Sequence, residues 1–75
     1  MTRLTEFEKG TEVKIKKISA GKRAVLNLMN MGILTGNNIK ILRVSRLRGP
    51  VVINHNDTEI ALGHGLARKI YGDII

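Results

Sequence analysis

A mainly β fold, a small antiparallel barrel carrying one short α-helix, is what the sequence predicts, and three observations carry it. Apolar and charged residues alternate in short runs such as "EVKIKK", the period of strands with one buried face. Glycine and polar turn residues separate these runs at close intervals, as between hairpin strands. One segment, "KRAVLNLMNM", changes to the three- and four-residue spacing of a helix. Five or six such strands around one helix make a small barrel.

Taken in order, Leu4 and Phe7 read as apolar plugs on a one-turn segment, and Gly10 as the turn before the first strand. In "TEVKIKKIS", Val13 and Ile15 alternate with lysines, and Ile18 then breaks the phase. A bulge at Lys16-Lys17 accounts for the break. The helix is read over Lys22–Met31, with Val25, Leu28 and Met29 on one face and Ser19 or Gly21 at its start. Gly32 follows as its left-handed stop, and Gly36 turns the chain into the next strand. There Ile39 and Ile41 share one face, and Leu42 and Val44 the other. Arg48-Gly49-Pro50 is a turn, "VVIN" a buried strand and His55-Asn56-Asp57 a hairpin connection. Thr58, Ile60 and Leu62 alternate in another strand. Gly63–Arg68 forms a second short helical turn, and Ile70, Gly72 and Ile74 share a face of the closing strand.

Composition narrows the function. The chain has 75 residues, read as one domain spanning 1–75 and, from its opening methionine, as a complete small protein. A chain this short hides only about 60–65% of its unfolded surface, which leaves little room for a deep catalytic pocket beside a core. It has no cysteine, hence no disulfide, thiolate nucleophile or Cys-ligated zinc, and a cytoplasmic location fits. Apolar runs of three residues fall far short of the ~20 that span a bilayer, so no membrane insertion is predicted. A net charge of +7 and a pI near 10.4 attract nucleic acid, anionic membrane or an acidic protein face.

The segment "MNMGILTG" poses the sharpest question, because two glycines bracket three residues. A phosphate-binding loop needs four residues between its glycines, then Lys and Ser or Thr, placed between a strand and a helix. Here the spacing is one short, Asn37 stands where lysine belongs, and the order is helix then strand. The corner is structural, and Gly10, Gly32 and Gly36 are its kind of residue. His55, His64, Asp57 and Glu59 have metal-binding chemistry, yet none is paired at helical spacing. No metal site and no cofactor are assigned, and weak transition-metal affinity is kept as a minor reading. Ser19 and Ser45 lack a neighbouring base, so no catalytic residue is assigned and the protein is read as non-enzymatic.

Two surface features remain. The basic residues Lys14, Lys16, Lys17, Lys22, Arg23, Arg43, Arg46, Arg48, Arg68 and Lys69 form a patch if strands bring them together. Only Phe7 and Tyr71 are aromatic, however, and single-strand binding usually stacks bases on exposed rings. Met29, Met31, Ile33 and Leu34 are more apolar side chains than one face of a short helix buries easily. Those left outside would line a partner groove.

The whole chain, from Leu4 to about Ile70, resembles the FeoA family of small cytosolic proteins associated with bacterial ferrous iron transport. The resemblance lies in Leu4-x-x-Phe7-x-x-Gly10, Val13-x-Ile15, the helix end "NLMNMGILTG", Ile39-x-Ile41, Gly49-Pro50-Val51-Val52-Ile53 and "EIALGHGLARKI". Departures are Asn27 where a basic residue is common, Thr35 where proline is frequent, and Gly72 where a β-branched residue usually stands. The resemblance implies an SH3-like barrel with its helix inserted after the first strand. It also implies an accessory that binds and modulates the cytosolic part of FeoB, the ferrous iron transporter. Joined to the surplus apolar residues, it marks Met29, Met31, Ile33, Leu34, Arg46 and Arg48 as candidate partner contacts. An exposed groove there would also favour a homo-oligomer. A basic barrel that binds nucleic acid is the alternative from another class.

Overall fold

The computed structural model describes residues 1–45 and 47–75. Arg46, one of the candidate contacts, lies outside the described residues. Six strands follow one another as β1 (Thr2–Arg3), β2 (Glu12–Ile18), β3 (Asn38–Val44), β4 (Val51–His55), β5 (Thr58–Leu62) and β6 (Ile70–Ile74). A one-turn 3₁₀ segment (Leu4–Glu6) follows β1, α1 (Lys22–Asn30) joins β2 to β3, and α2 (His64–Ala67) joins β5 to β6. The strands form one antiparallel sheet in the order β1-β6-β2-β3-β4-β5. The fold is SH3-like, but the sheet does not close among the described residues. The strand read as first is second, because Thr2 and Arg3 pair with Gly72 and Tyr71.

The phase breaks are bulges. Between β2 and β6 the register slips between Ile15 and Lys17, and between β3 and β4 it slips between Ile41 and Arg43. A bulge inserts one unpaired residue and bends the strand. The core accordingly takes Val13 and Ile15 and, partly buried, Ile18 from β2, and it takes Ile39, Ile41 and Val44 from β3. Val44 therefore packs on the same core as Ile41, rather than on a second face. Leu4, Phe7, Leu28, Ile33, Val51, Ile53, Leu62, Ala67 and Ile70 complete the buried cluster. Asn56 and Asp57, with φ of 51° and 62°, connect β4 to β5, the two-residue turn whose twist matches flanking strands.

β6 is less regular than its alternation predicts. Ile70 and Gly72 are buried, yet Ile74 is 70% exposed. β1 ends opposite Gly72, so Ile74 lies beyond its cover. A Cβ on Gly72 would sit 2.6 Å from the Lys14 carbonyl oxygen and collide with Val13 Cγ1. The departure at this position thus has a steric reason: β6 crosses β2 too closely for a side chain.

Candidate functional site

α1 starts at Gly21, which offers no side-chain cap, and carries Lys22 and Arg23 with no acid in its first turn. Two positive charges at the positive end of the peptide dipoles oppose helix formation, at roughly 0.3–1 kcal/mol each when exposed. Tertiary packing holds the helix instead, chiefly through Leu28, which is fully buried with Ala24 and Val25 half-buried beside it. Leu26, Met29 and Asn30 look outward.

The helix then stops in a way that sorts the next four side chains. Gly32, at φ +83°, donates its N–H to Met29 O at 2.9 Å, and Ile33 N–H donates to Leu28 O at 2.8 Å. These are the paired bonds of a left-handed helix stop, in which the residue after the glycine packs back on the last inward helical residue. Ile33 and Leu28 are both fully buried. Ile33 is therefore a core residue and offers no contact surface, a correction to its place among the candidates. Met31 and Leu34, on either side of Gly32 and Ile33, stay outside. The turn is tied down by Leu34 N–H to Asn37 Oδ1 at 2.7 Å, Gly36 N–H to Ile15 O at 2.7 Å and Ile15 N–H to Asn37 O at 2.9 Å.

The product is an apolar surface on a fixed backbone. Leu26, Met29, Met31 and Leu34 are each 42–47% exposed, and Leu26 and Met29 are neighbours one turn apart on the helix. The apolar count of the segment points to Met29, Met31 and Leu34 but misses Leu26. Placing it opposite Leu28 on a helical wheel is the signal that finds it. Burying the exposed part of one such side chain is worth on the order of 1 kcal/mol. Beside this surface the His55 ring lies 3.8 Å from where a Gly32 Cβ would stand. Its Nδ1 lies 3.2 Å from Asn38 O.

Arg48 does not join this surface. It lies between β3 and β4, next to the Val44–Val51 pair, whereas Gly32 and His55 stand at the Asn38 end. Six residue steps of β3 separate the two ends, roughly 20 Å at the usual strand rise. The cations that do accompany the apolar surface are Lys22 and Arg23, four and three residues before Leu26 on α1, and both are exposed.

The histidines are likewise apart, since His55 ends β4 and His64 begins α2 after the length of β5. Among the described residues no three His, Cys, Asp or Glu stand together as a metal group, and no helix is long and apolar enough to cross a membrane. An open depression of about 370 Å³ is lined by Phe7, Glu8, Lys9 and Val44, with one carboxylate and one amine. Tyr71 is half-buried and engaged. Arg3 Nε donates to its hydroxyl at 3.1 Å, and the guanidinium lies 5.8 Å from the ring centre. The hydrogen bond to Tyr71 raises the Arg3 pKa above its usual value. The one aromatic ring outside the core is thus no open stacking platform.

Comparison with known proteins bears on the family and the fold. The family model described as the FeoA domain matches residues 2–73. A relative from Methanocaldococcus jannaschii named Fe(2+) transport protein A is 44% identical over 63 residues, covering 84% of this chain and 74% of its own. A crystal structure of an iron uptake regulatory protein, FeoA, superimposes with a TM-score of 0.89 at 27% identity, covering 99% of this chain and 97% of the other. A manganese-dependent transcriptional repressor shares the fold over 97% of this chain and 41% of its own, with a TM-score of 0.89 at 18% identity.

Proposed function

The chain belongs to the FeoA domain family, and on that footing we propose that it is a non-catalytic cytoplasmic accessory of ferrous iron uptake that docks on the cytosolic part of a FeoB-type transporter and modulates it. The observation that supports a docking role is the split within one segment. Leu28 and Ile33 are fully buried, while Leu26, Met29, Met31 and Leu34 stay partly outside on a backbone held by hydrogen bonds. A surface already in its final shape loses little conformational entropy on binding. Methionine adapts to a partner's relief better than a branched side chain does.

The test is a titration of isotope-labelled protein with the cytosolic region of a FeoB-type transporter. The amide signals of residues 26–34 are expected to shift at micromolar partner concentrations. Met31→Glu and Leu34→Glu are expected to weaken binding at least tenfold, about 1.4 kcal/mol, with thermal stability held within about 0.5 kcal/mol. No shifts, or unchanged binding by both variants, would sink the proposed site.

A further inference from the structure

The charge of this protein is segregated along the chain. Nine of its thirteen basic residues, and none of its six acidic ones, lie between Val13 and Asn56. That stretch comprises most of β2, all of α1, β3 and β4, and the corner bearing the apolar surface. Within it, Lys16, Lys17, Lys22 and Arg23 crowd into eight residues around the start of α1. Among the described residues the one ion pair is Met1 amine with Asp73 at 3.4 Å, and none of these four cations makes one there. The placement of Lys22 and Arg23 in the first turn of α1 opposes the helix dipole, and self-repulsion adds to the cost. Folding alone gives no reason for it.

The two ends of the apolar surface differ in charge. Lys22 and Arg23 stand at the start of α1. At its end the His55 ring packs beside Gly32, on the hairpin whose turn holds Asp57. From this complementarity we infer that the element occupying the α1 surface is an acidic amphipathic segment of a protein partner. Its apolar side chains lie on Leu26, Met29, Met31 and Leu34. Its carboxylates meet Lys22 and Arg23, and its less acidic end meets the Asp57 hairpin. This inference deepens the docking reading above by giving the partner's chemistry and direction.

The test uses the full chain and two synthetic amphipathic peptides of about 14 residues, four helical turns. They are alike except for glutamate or lysine on the polar face. The glutamate peptide is expected to bind, and to weaken at least tenfold when NaCl rises from about 50 to about 300 mM. Lys22→Glu with Arg23→Glu is expected to cause a similar loss while raising the melting temperature, because acids suit a helix start. Leu26→Glu with Met29→Glu is expected to weaken the same peptide at least tenfold. Asp57→Lys is expected to leave binding equal or tighter.

Equal binding of the lysine peptide, or indifference of the glutamate peptide to the reversed pair, overturns the inference. So does tighter binding to phosphatidylglycerol vesicles that is lost with the same two substitutions, since the surface would then serve lipid. Failure with the peptides but binding to the transporter region through Met31 and Leu34 retains the docking reading alone. Success with the glutamate peptide and none with the transporter region retains the inference and retires that partner.

Discussion

At the His55 end of the β3–β4 ladder, four apolar side chains are each less than half exposed, and the backbone beneath them makes hydrogen bonds to β2 and to Asn37. At the Val44 end a single leucine, Leu47, is 92% exposed. Its N–H donates to Ser45 Oγ at 3.3 Å, and Arg48 follows with φ +60°. Both ends show apolar surface next to basic residues, so hydropathy and charge do not tell them apart. The difference is support. Partial burial gives a side chain a defined position, and a partner then gains contact area without ordering the loop. A fully exposed side chain on a turn tip has no such advantage, and isolated exposed leucines are ordinary on protein surfaces.

The comparison breaks most severely if the support is removed. Leu28→Ala deletes a fully buried side chain beneath the helix and is expected to cost about 3 kcal/mol. For a domain of this size that lowers the melting temperature by roughly 12–24 °C. Partner binding should fall with the folded population, which thermal unfolding followed by circular dichroism would separate from a direct loss. A loss below about 1 kcal/mol would mean that α1 rests on something other than Leu28.

Two glycines sharpen the point because they destabilise for different reasons. Gly72→Ala forces a Cβ against Val13 and the Lys14 carbonyl, and since backbone cannot yield cheaply the cost is expected near 2–3 kcal/mol. Gly32→Ala meets nothing closer than the His55 ring at 3.8 Å. Its cost is conformational, about 1–2 kcal/mol for a non-glycine residue in the left-handed region. Measured where both variants are fully folded, only Gly32→Ala should weaken partner binding, because only it shifts Met31 and Leu34. Equal binding losses in the two would show that global stability, not the corner, governs docking.

Much of this was legible in the sequence, for local reasons. Alternation marks β2, β3 and β5, a short apolar run between turns marks β4, the phase break at Ile18 marks the bulge of β2, and Gly32 reads as a helix stop; the β3 bulge reads instead as a strand serving two faces. The misreadings share a non-local cause. β1 is two polar residues whose strand character comes from pairing with β6, 68 residues away for Arg3 and the Tyr71 hydroxyl. Ile33 is a candidate contact because the segment carries more apolar side chains than a short helix face buries, and the stop's bond back to Leu28 is what turns it inward. Arg48 is a candidate as a basic residue taken to lie near the apolar groove, whereas the ladder puts it at the opposite end from Gly32 and His55. Leu26 went unnoticed for the reverse reason: its outward direction is local, but it shows only when the helix is drawn as a wheel.

The smallest expected effect tests the other end of the comparison. Leu47→Ser replaces the most exposed large apolar side chain of the described residues with a small polar one on a turn. With almost no buried area to lose, the change in stability should stay within about 0.5 kcal/mol, or roughly 2–4 °C in melting temperature. Binding to the transporter region should be unchanged, since Leu47 lies a full strand length from the α1 surface. A tenfold loss of binding at unchanged stability would place the contact at the tip. Support by the core would then no longer distinguish the working surface from the solvated one. An unchanged affinity, set beside losses in Met31→Glu and Leu34→Glu, makes the supported end the one that binds.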